Sequence, residues 1–170
     1  MIITATSWGF NAMSIPIELR LEIEDLLQAY GAALDHDELE QWPQFFTDDC
    51  FYQVIPRENY DRGLPLALIR CESKGMLEDR VYAIRETLMY EPRYVRHLIS
   101  GVRITRQDEH GIMAEANYAV FETPLNELTR VFNVGRYLDR IVREDGVLKF
   151  AEKHCVFDSL LVPNSIVIPI

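Results

Sequence analysis

The chain has 170 residues, of which 48% are hydrophobic, and it carries a formal net charge of -10. This length and apolar content suit one well-buried core and are short for two domains. The negative charge disfavours a nucleic acid or an anionic membrane as a partner, because both would repel the chain and no run of Lys and Arg forms a basic patch.

The cysteines Cys50, Cys71 and Cys155 are odd in number and far apart, without a Cys-x-x-Cys pair. This pattern favours reduced thiols, so we interpret all three as small core residues and expect a cytoplasmic protein. The sequence has no apolar stretch long enough to cross a bilayer and no signal peptide. Residues 1–13 show no periodicity; we expect a disordered extension there, followed by a single domain over residues 14–170.

The first half of the chain contains three helical patterns. An amphipathic helix is predicted after a Ser14 cap and a first-turn Pro16 by apolar residues at spacings of three and four: Leu19, Ile23, Leu26, Leu27, Tyr30 and Leu34. A second, short helix shares one apolar face, made of Leu39, Trp42, Phe45 and Phe46. A third helix is predicted over residues 73–85, with Ser73 available as its cap.

Alternating patterns predict strands in the rest of the chain. Two paired strands are expected over residues 50–55 and 64–69. Four longer strands follow, over residues 97–106, 112–122, 129–143 and 147–157, separated by short turns such as Glu144-Asp145-Gly146. Early helices and late antiparallel strands predict an α+β domain, with one strongly curved antiparallel sheet and about three N-terminal helices packed on it.

Aromatic residues are concentrated between the second helix and the first strand, at Trp42, Phe45, Phe46, Phe51 and Tyr52. A core between helix and sheet explains such a cluster more readily than a box for an aromatic substrate.

The last residues of the sequence form an apolar Ile-Val-Ile-Pro-Ile run after a polar Asn164-Ser165 pair. Burying Ile166, Val167, Ile168 and Ile170 would contribute roughly 1.5–3 kcal/mol each before ordering costs. We therefore expect this segment to dock, either as a strand that completes the chain's own sheet or as a contact with a neighbouring subunit.

Four histidines are candidates for metal binding or acid–base chemistry. His36, His97, His110 and His154 lie far apart in the sequence without local ligand partners, so no metal site is predicted. His97 and His154 fall on predicted strands, and a curved sheet could bring either imidazole into a pocket beside Asp48 or Asp49. These two residues are the candidates for a catalytic pocket, although hydrogen-bonded structural roles are the commoner use of such histidines.

Arginines and tyrosines are abundant in the middle third of the chain, in a mixture that is typical of protein interfaces. Intrachain ion pairing explains the arginines equally well from sequence alone. Our candidates for a subunit contact are Arg57, Tyr60, Arg93, Tyr94, Arg96, Ile168 and Ile170.

Several segments taken together resemble a known family, at residues 56–60, 63–66, 72–82, 155–159 and 162–165. The chain resembles the small (beta) subunit of aromatic-ring-hydroxylating dioxygenases over nearly everything after Ile17. Small subunits of salicylate 5-hydroxylase type are the nearest likeness, with those of terephthalate and anthranilate dioxygenases further off.

This resemblance implies a cone-shaped domain similar to nuclear transport factor 2, in an assembly of three alpha and three beta subunits. It also implies that the alpha subunit carries the Rieske [2Fe-2S] cluster and the mononuclear non-haem iron, and that a reductase or ferredoxin supplies electrons to the complex. This chain would then carry no catalytic residue and no cofactor. It would form a trimer and hold the alpha subunits in place for ring hydroxylation in aromatic compound catabolism.

Two other functions stay open at this level, because cones of this kind also act alone. One is a stand-alone isomerase or dehydratase with an Asp or His deep in an apolar cavity, and the other is a small-molecule binding module. Bulky side chains that fill the cone would count against both.

Overall fold

The computed structural model describes residues 15–87, 92–159 and 166–170. Helix α1 (Ile17–Asp35) and a 3-10 helix (Leu39–Phe45) lead into strand β1 (Phe46–Pro56), which is followed by helix α2 (Arg57–Asp61), strand β2 (Ile69–Cys71) and helix α3 (Lys74–Glu86). Four long strands complete the sheet: β3 (Arg93–Asp108), β4 (Gly111–Pro124), β5 (Arg130–Glu144) and β6 (Val147–Phe157). The expected extension over residues 1–13 lies outside the described residues.

The six strands form one sheet in the order β2-β1-β6-β5-β4-β3. Successive strands from β3 to β6 pair antiparallel, as predicted, but β1 lies parallel to β6, with Tyr52 opposite Lys153 and Val54 opposite Cys155. The prediction of a wholly antiparallel sheet was therefore wrong. The two-residue period of a strand is the same in both kinds of pairing, so it could not reveal the direction of β1.

Most predicted elements match the structure within a few residues. The Ser73 side chain caps α3 by accepting a hydrogen bond from the Met76 N–H at 3.3 Å, as the sequence indicated. Ser14 lies outside the described residues, so its predicted cap is not tested. The predicted strand over residues 64–69 was wrong: only Ile69–Cys71 pairs with β1, and helix α2 was not predicted.

The core lies between the concave face of the sheet and the helices. Helix α1 buries Ile23, Leu27, Tyr30 and Leu34 against it. Trp42, Phe46 and Tyr52 are fully buried and meet edge to face, so most of the predicted aromatic cluster is core. All three cysteines are buried, as predicted.

Tight turns set the register of the long strands. Between β5 and β6, Asp145 and Gly146 have φ values of 49° and 85°. Positive φ at both central residues is the conformation that matches the twist of a hairpin, which explains the Asp-Gly pair at this turn. In the described part of the chain, no helix is long and apolar enough to cross a membrane.

Candidate functional site

The interior of the curved sheet is the first place to look for a site, and the end of the chain occupies it. Ile170 is 1% exposed, and its main-chain oxygen accepts hydrogen bonds from the Tyr30 hydroxyl at 2.6 Å and the Tyr52 hydroxyl at 3.2 Å. The Cys155 thiol lies 3.0 Å from the same oxygen, and the Ile170 N–H donates to the Tyr52 hydroxyl at 3.0 Å. The segment therefore docks inside its own chain, as one of the two alternatives predicted, but residues 166–170 do not form a strand.

Burial determines the protonation of these three side chains. It raises the pKa of Tyr30 and of Tyr52 well above the usual value for a phenol, and it raises the pKa of the Cys155 thiol to about 12. All three groups therefore stay protonated at neutral pH and act as hydrogen-bond donors. A thiol with a raised pKa is a poor nucleophile, so Cys155 is not set up for covalent catalysis.

A buried ion pair lies beside this segment's binding site. The Lys153 ammonium lies 3.1 and 3.3 Å from the two carboxylate oxygens of Asp139, and the side chains are 0% and 1% exposed. The ammonium also lies 3.6 Å from the ring centroid of Tyr137 and 4.4 Å from that of Phe150. Burial raises the pKa of Asp139 to about 6, against the opposing attraction of Lys153.

This ion pair between Lys153 and Asp139 was not predicted from the sequence. Asp139 lies between Tyr137 and Ile141 on β5, and all three side chains point to the same buried face. A charged residue at an inward position of an alternating strand is the signal that would have found it.

His97 is held between α1 and β3 by Asp35. Its ring Nδ1 lies 2.6 Å from an Asp35 carboxylate oxygen, and its backbone N–H donates to both carboxylate oxygens at 2.9 and 3.1 Å. Gly31 permits this close approach, because a Cβ there would lie 3.3 Å from the Cβ of His97 and 3.2 Å from Ile99. These contacts give His97 a structural role in joining the helix to the edge strand.

His154 lies on the other face of the sheet. The inward residues of β6 are Lys153 and Cys155, so His154 between them points outward, where its Nδ1 lies 2.7 Å from the Gln53 amide nitrogen. Burial beneath neighbouring side chains lowers its pKa, which favours the neutral imidazole. The two pocket candidates, His97 and His154, are thus on opposite faces and do not share a pocket.

An open cleft of about 560 Å³ brings together four of the seven candidates for a subunit contact, Arg93, Tyr94, Arg96 and Ile168. It lies between the end of α1 and the start of β3, and its other lining residues are Leu34, Asp35, His36, Asp37, Pro92 and Val95. The cleft therefore presents charges of both signs beside a larger area of apolar surface.

The other three candidates lie elsewhere. Arg57 on α2 forms an ion pair with Asp158 at 3.1 Å, and Tyr60 lies on the same short helix beside Arg136. Ile170 is inside the chain's own core. Arg93 is itself largely buried, 3.3 Å from the Glu122 carboxylate and over the ring of Phe132. Tyr94 and Arg96 have exposed side chains, so they are the cleft residues that a partner subunit could contact.

Comparison with known proteins supplies the deciding observation. The model of the ring hydroxylating beta subunit family matches residues 31–164. The chain belongs to this family. It is 38% identical to the anthranilate 1,2-dioxygenase small subunit of Burkholderia cepacia over 149 residues, which are 88% of this chain and 92% of that protein.

Solved structures agree with this beta-subunit assignment. A beta subunit ascribed to an aromatic-ring-hydroxylating dioxygenase of Novosphingobium aromaticivorans superimposes with a TM-score of 0.80 at 41% identity, covering 90% of this chain and 98% of that one. A chain of naphthalene 1,2-dioxygenase with indole bound in the active site superimposes with a TM-score of 0.76 at 18% identity, covering 94% and 88%. The second likeness concerns the fold alone, which is the predicted α+β fold similar to nuclear transport factor 2.

The described residues of this beta subunit do not fit the metal groups that belong to ring-hydroxylating oxygenases. They contain no group of three or more His, Cys, Asp or Glu arranged to hold a metal ion. The three thiols are buried, and His97 and His154 are separated by the sheet. A Rieske cluster and a two-His-one-carboxylate iron need four and three converging ligands, respectively.

The outer face of the beta subunit's sheet has an exposed apolar patch across β3, β4 and β5. Leu98 and Val134 lie on either side of Ala119 in register, and Val131 lies opposite Phe121. Leu98, Val131 and Val134 are 55%, 54% and 41% exposed. A contiguous apolar patch on a sheet face is typical of a surface that contacts another protein.

Proposed function

We propose that this beta subunit is a non-catalytic structural component of a cytoplasmic Rieske non-haem iron oxygenase that hydroxylates an aromatic acid. In this proposal the large alpha subunit holds the [2Fe-2S] cluster and the mononuclear iron and carries out the redox chemistry. The small subunit forms a trimer and holds three alpha subunits at the distances that electron transfer between them requires, in an alpha3beta3 hexamer served by a reductase or ferredoxin.

The filled interior is the observation that supports a structural role. In a pocket enzyme of this fold, polar side chains at the bottom of the cone would face a vacant cavity. Here the hydroxyls of Tyr30 and Tyr52 and the thiol of Cys155 contact the chain's own Ile170, and Lys153 pairs with Asp139. These groups already have partners, which disfavours both a stand-alone isomerase or dehydratase and an open binding module.

The substrate class follows from the relatives. The anthranilate 1,2-dioxygenase small subunit is 38% identical, and the terephthalate 1,2-dioxygenase beta 2 subunit from Comamonas is 34% identical. Anthranilate and terephthalate are both aromatic carboxylates, so we propose an aromatic carboxylate as the substrate of the complex. Salicylate fits that class, and the likeness to salicylate 5-hydroxylases noted in the sequence remains part of this proposal.

We assign the cleft between α1 and β3 to the alpha subunit. Its residues Tyr94 and Arg96 present an aromatic ring and a guanidinium group with exposed fractions of 70% and 64%, in a concave setting. Tyr and Arg are enriched among the residues that dominate binding energy at interfaces. Ile168 lines the cleft and belongs to the segment 166–170, whose residues Ile166 and Ile170 are buried in the core. One side of the proposed alpha contact is therefore fixed to the core.

We assign the apolar patch on the outer sheet face to contacts between copies of the beta subunit. Leu98, Val131 and Val134 carry no charge, so their burial between copies would release apolar surface from water without separating ion pairs. Permanent homo-oligomer contacts are more apolar than transient ones, which suits a lasting trimer.

The proposal is tested by co-expressing the chain with its alpha subunit. Tyr94→Ala should weaken retention of the alpha subunit on a tagged beta subunit at least about tenfold, the size expected for an interfacial tyrosine. Tyr82→Ala is the matched control, because Tyr82 is 68% exposed on α3 and lies outside the cleft. Equal retention for both variants would remove the cleft from the alpha interface, and no retention of alpha by the unmodified chain would contradict the proposed function.

The stand-alone enzyme is tested separately through the histidines. His154→Gln in the reconstituted oxygenase should leave the hydroxylation rate within about twofold, since a polar hydrogen-bonding group is retained near Gln53. His97→Asn should change stability more than rate, because His97 joins α1 to β3 through Asp35. A large fall in rate with a folded complex would support a role in chemistry for either residue.

A further inference from the structure

Two arginines that line the cleft between α1 and β3 have hydrogen-bond donors available. The Arg96 side chain is 64% exposed, and its contact with an Asp35 carboxylate oxygen spans 3.5 Å, which is longer than a well-formed charge-assisted hydrogen bond. The Arg93 side chain is 9% exposed and lies 3.3 Å from a Glu122 carboxylate oxygen. Its Nε nevertheless forms no hydrogen bond to any described residue. A guanidinium group has five N–H donors, so both arginines can accept a further partner.

The carboxylates that line the same cleft are already bound by other groups of the chain. Both oxygens of Asp35 accept hydrogen bonds from the backbone N–H of His97, at 2.9 and 3.1 Å, and one of them also contacts the His97 ring. Asp37 accepts a 2.7 Å hydrogen bond from the guanidinium of Arg85 on α3. The acceptors of the cleft are thus largely engaged within the chain, whereas its guanidinium donors are not.

The partner of Arg93 is shared with another arginine. Arg130 on β5 donates to the Glu122 carboxylate at 2.7 Å, a shorter contact than the 3.3 Å from Arg93. The Arg93 guanidinium also lies over the ring of Phe132, 4.9 Å from its centroid, so one of its faces is covered by an aromatic ring. Arg93 is therefore a fixed, largely buried cation whose hydrogen bonds are incomplete, and a further acceptor would compensate it.

Apolar surface surrounds these donors. Tyr94 lies between the two arginines in the sequence, and its side chain is 70% exposed. The cleft of about 560 Å³ is completed by apolar residues that include Leu34, Val95 and Ile168. A partner that covers this surface would exclude water from the guanidinium groups, and charge pairs are stronger where water is excluded.

We infer that the cleft binds a carboxylate group of the alpha subunit, on an Asp or Glu side chain, through the guanidinium of Arg96, with Arg93 as a second cation beside it. This inference rests on the proposed function and adds to it the chemistry of the group that the partner supplies. A guanidinium binds a carboxylate through two parallel hydrogen bonds, a geometry that a lysine ammonium does not reproduce. Such a contact fixes the orientation of one subunit on the other.

The salt dependence of alpha binding tests this inference in co-expressed complexes. Arg96→Gln should reduce retention of alpha on a tagged beta subunit at least about tenfold at about 0.05 M NaCl. Retention by the unmodified chain should fall as NaCl rises to about 0.5 M, and retention by the variant should change less, because salt screens charge pairs. Arg106→Gln is the matched control, since Arg106 lies on the same strand, is also 64% exposed and is outside the cleft.

Carbodiimide cross-linking identifies the partner group. The reagent joins an amine to a carboxylate in contact with it, as an amide. Complexes that contain the Arg96→Lys beta subunit should therefore give a link from position 96 to an Asp or Glu of alpha, located by peptide mass spectrometry, and Arg106→Lys complexes should give none from position 106. Replacing the linked alpha residue by its amide should lower retention on the unmodified beta subunit by about the same factor as Arg96→Gln.

Two results would overturn the inference while leaving the proposed function in place. One is retention that does not depend on salt and is equal for Arg96→Gln and Arg106→Gln, which would indicate an apolar or main-chain contact. The other is an assembled Arg96→Lys complex without a link to alpha. If Arg96→Lys does not assemble, the comparison of Arg96→Gln with Arg106→Gln decides the question. Failure of the unmodified chain to retain alpha at any salt concentration contradicts the proposed function and the inference together.

Discussion

The Tyr30 hydroxyl donates a 2.6 Å hydrogen bond to the main-chain oxygen of Ile170, 140 residues further along the chain. Both residues are almost completely buried, so this contact ties the first helix to the last described residues inside the curved sheet. It explains why the apolar end of the sequence needs no neighbouring subunit to cover Ile170. The interior is thereby part of the core, and the outer surfaces are left for partners.

The Ile170 side chain should contribute strongly to folding. Ile170→Ala is expected to lower the free energy of unfolding by about 2–5 kcal/mol, because it leaves a cavity in the hydrophobic core. Urea unfolding followed by circular dichroism measures this change. Ile17→Ala is the matched control, since Ile17 is 67% exposed and its loss should change stability by less than about 0.5 kcal/mol. Equal effects would show that Ile170 is not packed in the core.

The Tyr30 hydroxyl should make a smaller contribution. Tyr30→Phe removes one donor, while Tyr52 and Cys155 still reach the Ile170 oxygen, so the expected loss is about 0.5–1.5 kcal/mol. The same urea experiment on Tyr82→Phe, whose ring is 68% exposed, should give no measurable loss. A variant of Tyr30 as stable as the unmodified protein would argue against the hydrogen bond.

The buried ion pair predicts a pH-dependent effect of Lys153→Met. The folded pKa of Asp139, about 6, is higher than its unfolded value of about 3.9, so the folded state binds this proton more tightly and the Asp139 contribution to stability falls as pH rises from 4 to 6. Without Lys153 the bare carboxylate has no buried partner. The variant should lose about 3–5 kcal/mol at pH 8 and less at pH 5, where Asp139 becomes protonated.

Urea unfolding at both pH values checks this expectation. The double variant Lys153→Met and Asp139→Leu should recover most of the stability at pH 8, because no unpaired charge remains. Lys149→Met is the control, since Lys149 pairs with an exposed Glu144 and should cost less than about 1 kcal/mol. A loss at pH 8 no larger than that at pH 5 would contradict the assignment of a charged Asp139 at neutral pH.

The exposed apolar patch predicts a defect in assembly. Val134→Glu, at 41% exposure on the β5 side of the patch, should leave the fold intact and reduce the native mass of the complex co-expressed with the alpha subunit. Val147→Glu on the β5–β6 hairpin, at 60% exposure, is the control and should leave the mass unchanged. Sedimentation velocity distinguishes these outcomes, and equal masses for the two variants would exclude the patch as a contact between copies.

The sequence predicted the long helices and strands because their patterns are set by local burial. Leu27 and Tyr30 mark the buried stripe of α1, and the Asp145-Gly146 pair marks a hairpin turn. Ser73 marked the start of α3 correctly. The short helix α2 was missed because none of its residues is buried, which leaves no apolar period to detect.

The interior site could be predicted only in part. An apolar segment that must dock was evident from Ile166 to Ile170, but its binding place depends on donors from three distant elements. The pairing of Lys153 with Asp139 depends on the register of β5 against β6, which places them opposite each other. The cleft likewise joins α1 to β3 through a contact between Asp35 and His97, 62 residues apart. Local patterns do not encode such long-range contacts.

The most direct test of the structural role is to co-express the chain with an oxygenase alpha subunit, and to measure the native mass and visible spectrum of the purified product. A structural role in the oxygenase predicts a coloured complex with the spectrum of a Rieske cluster, equal numbers of the two subunits and a mass corresponding to three of each. A colourless beta subunit that purifies without alpha would contradict it, and would return attention to the interior as a site with a function of its own.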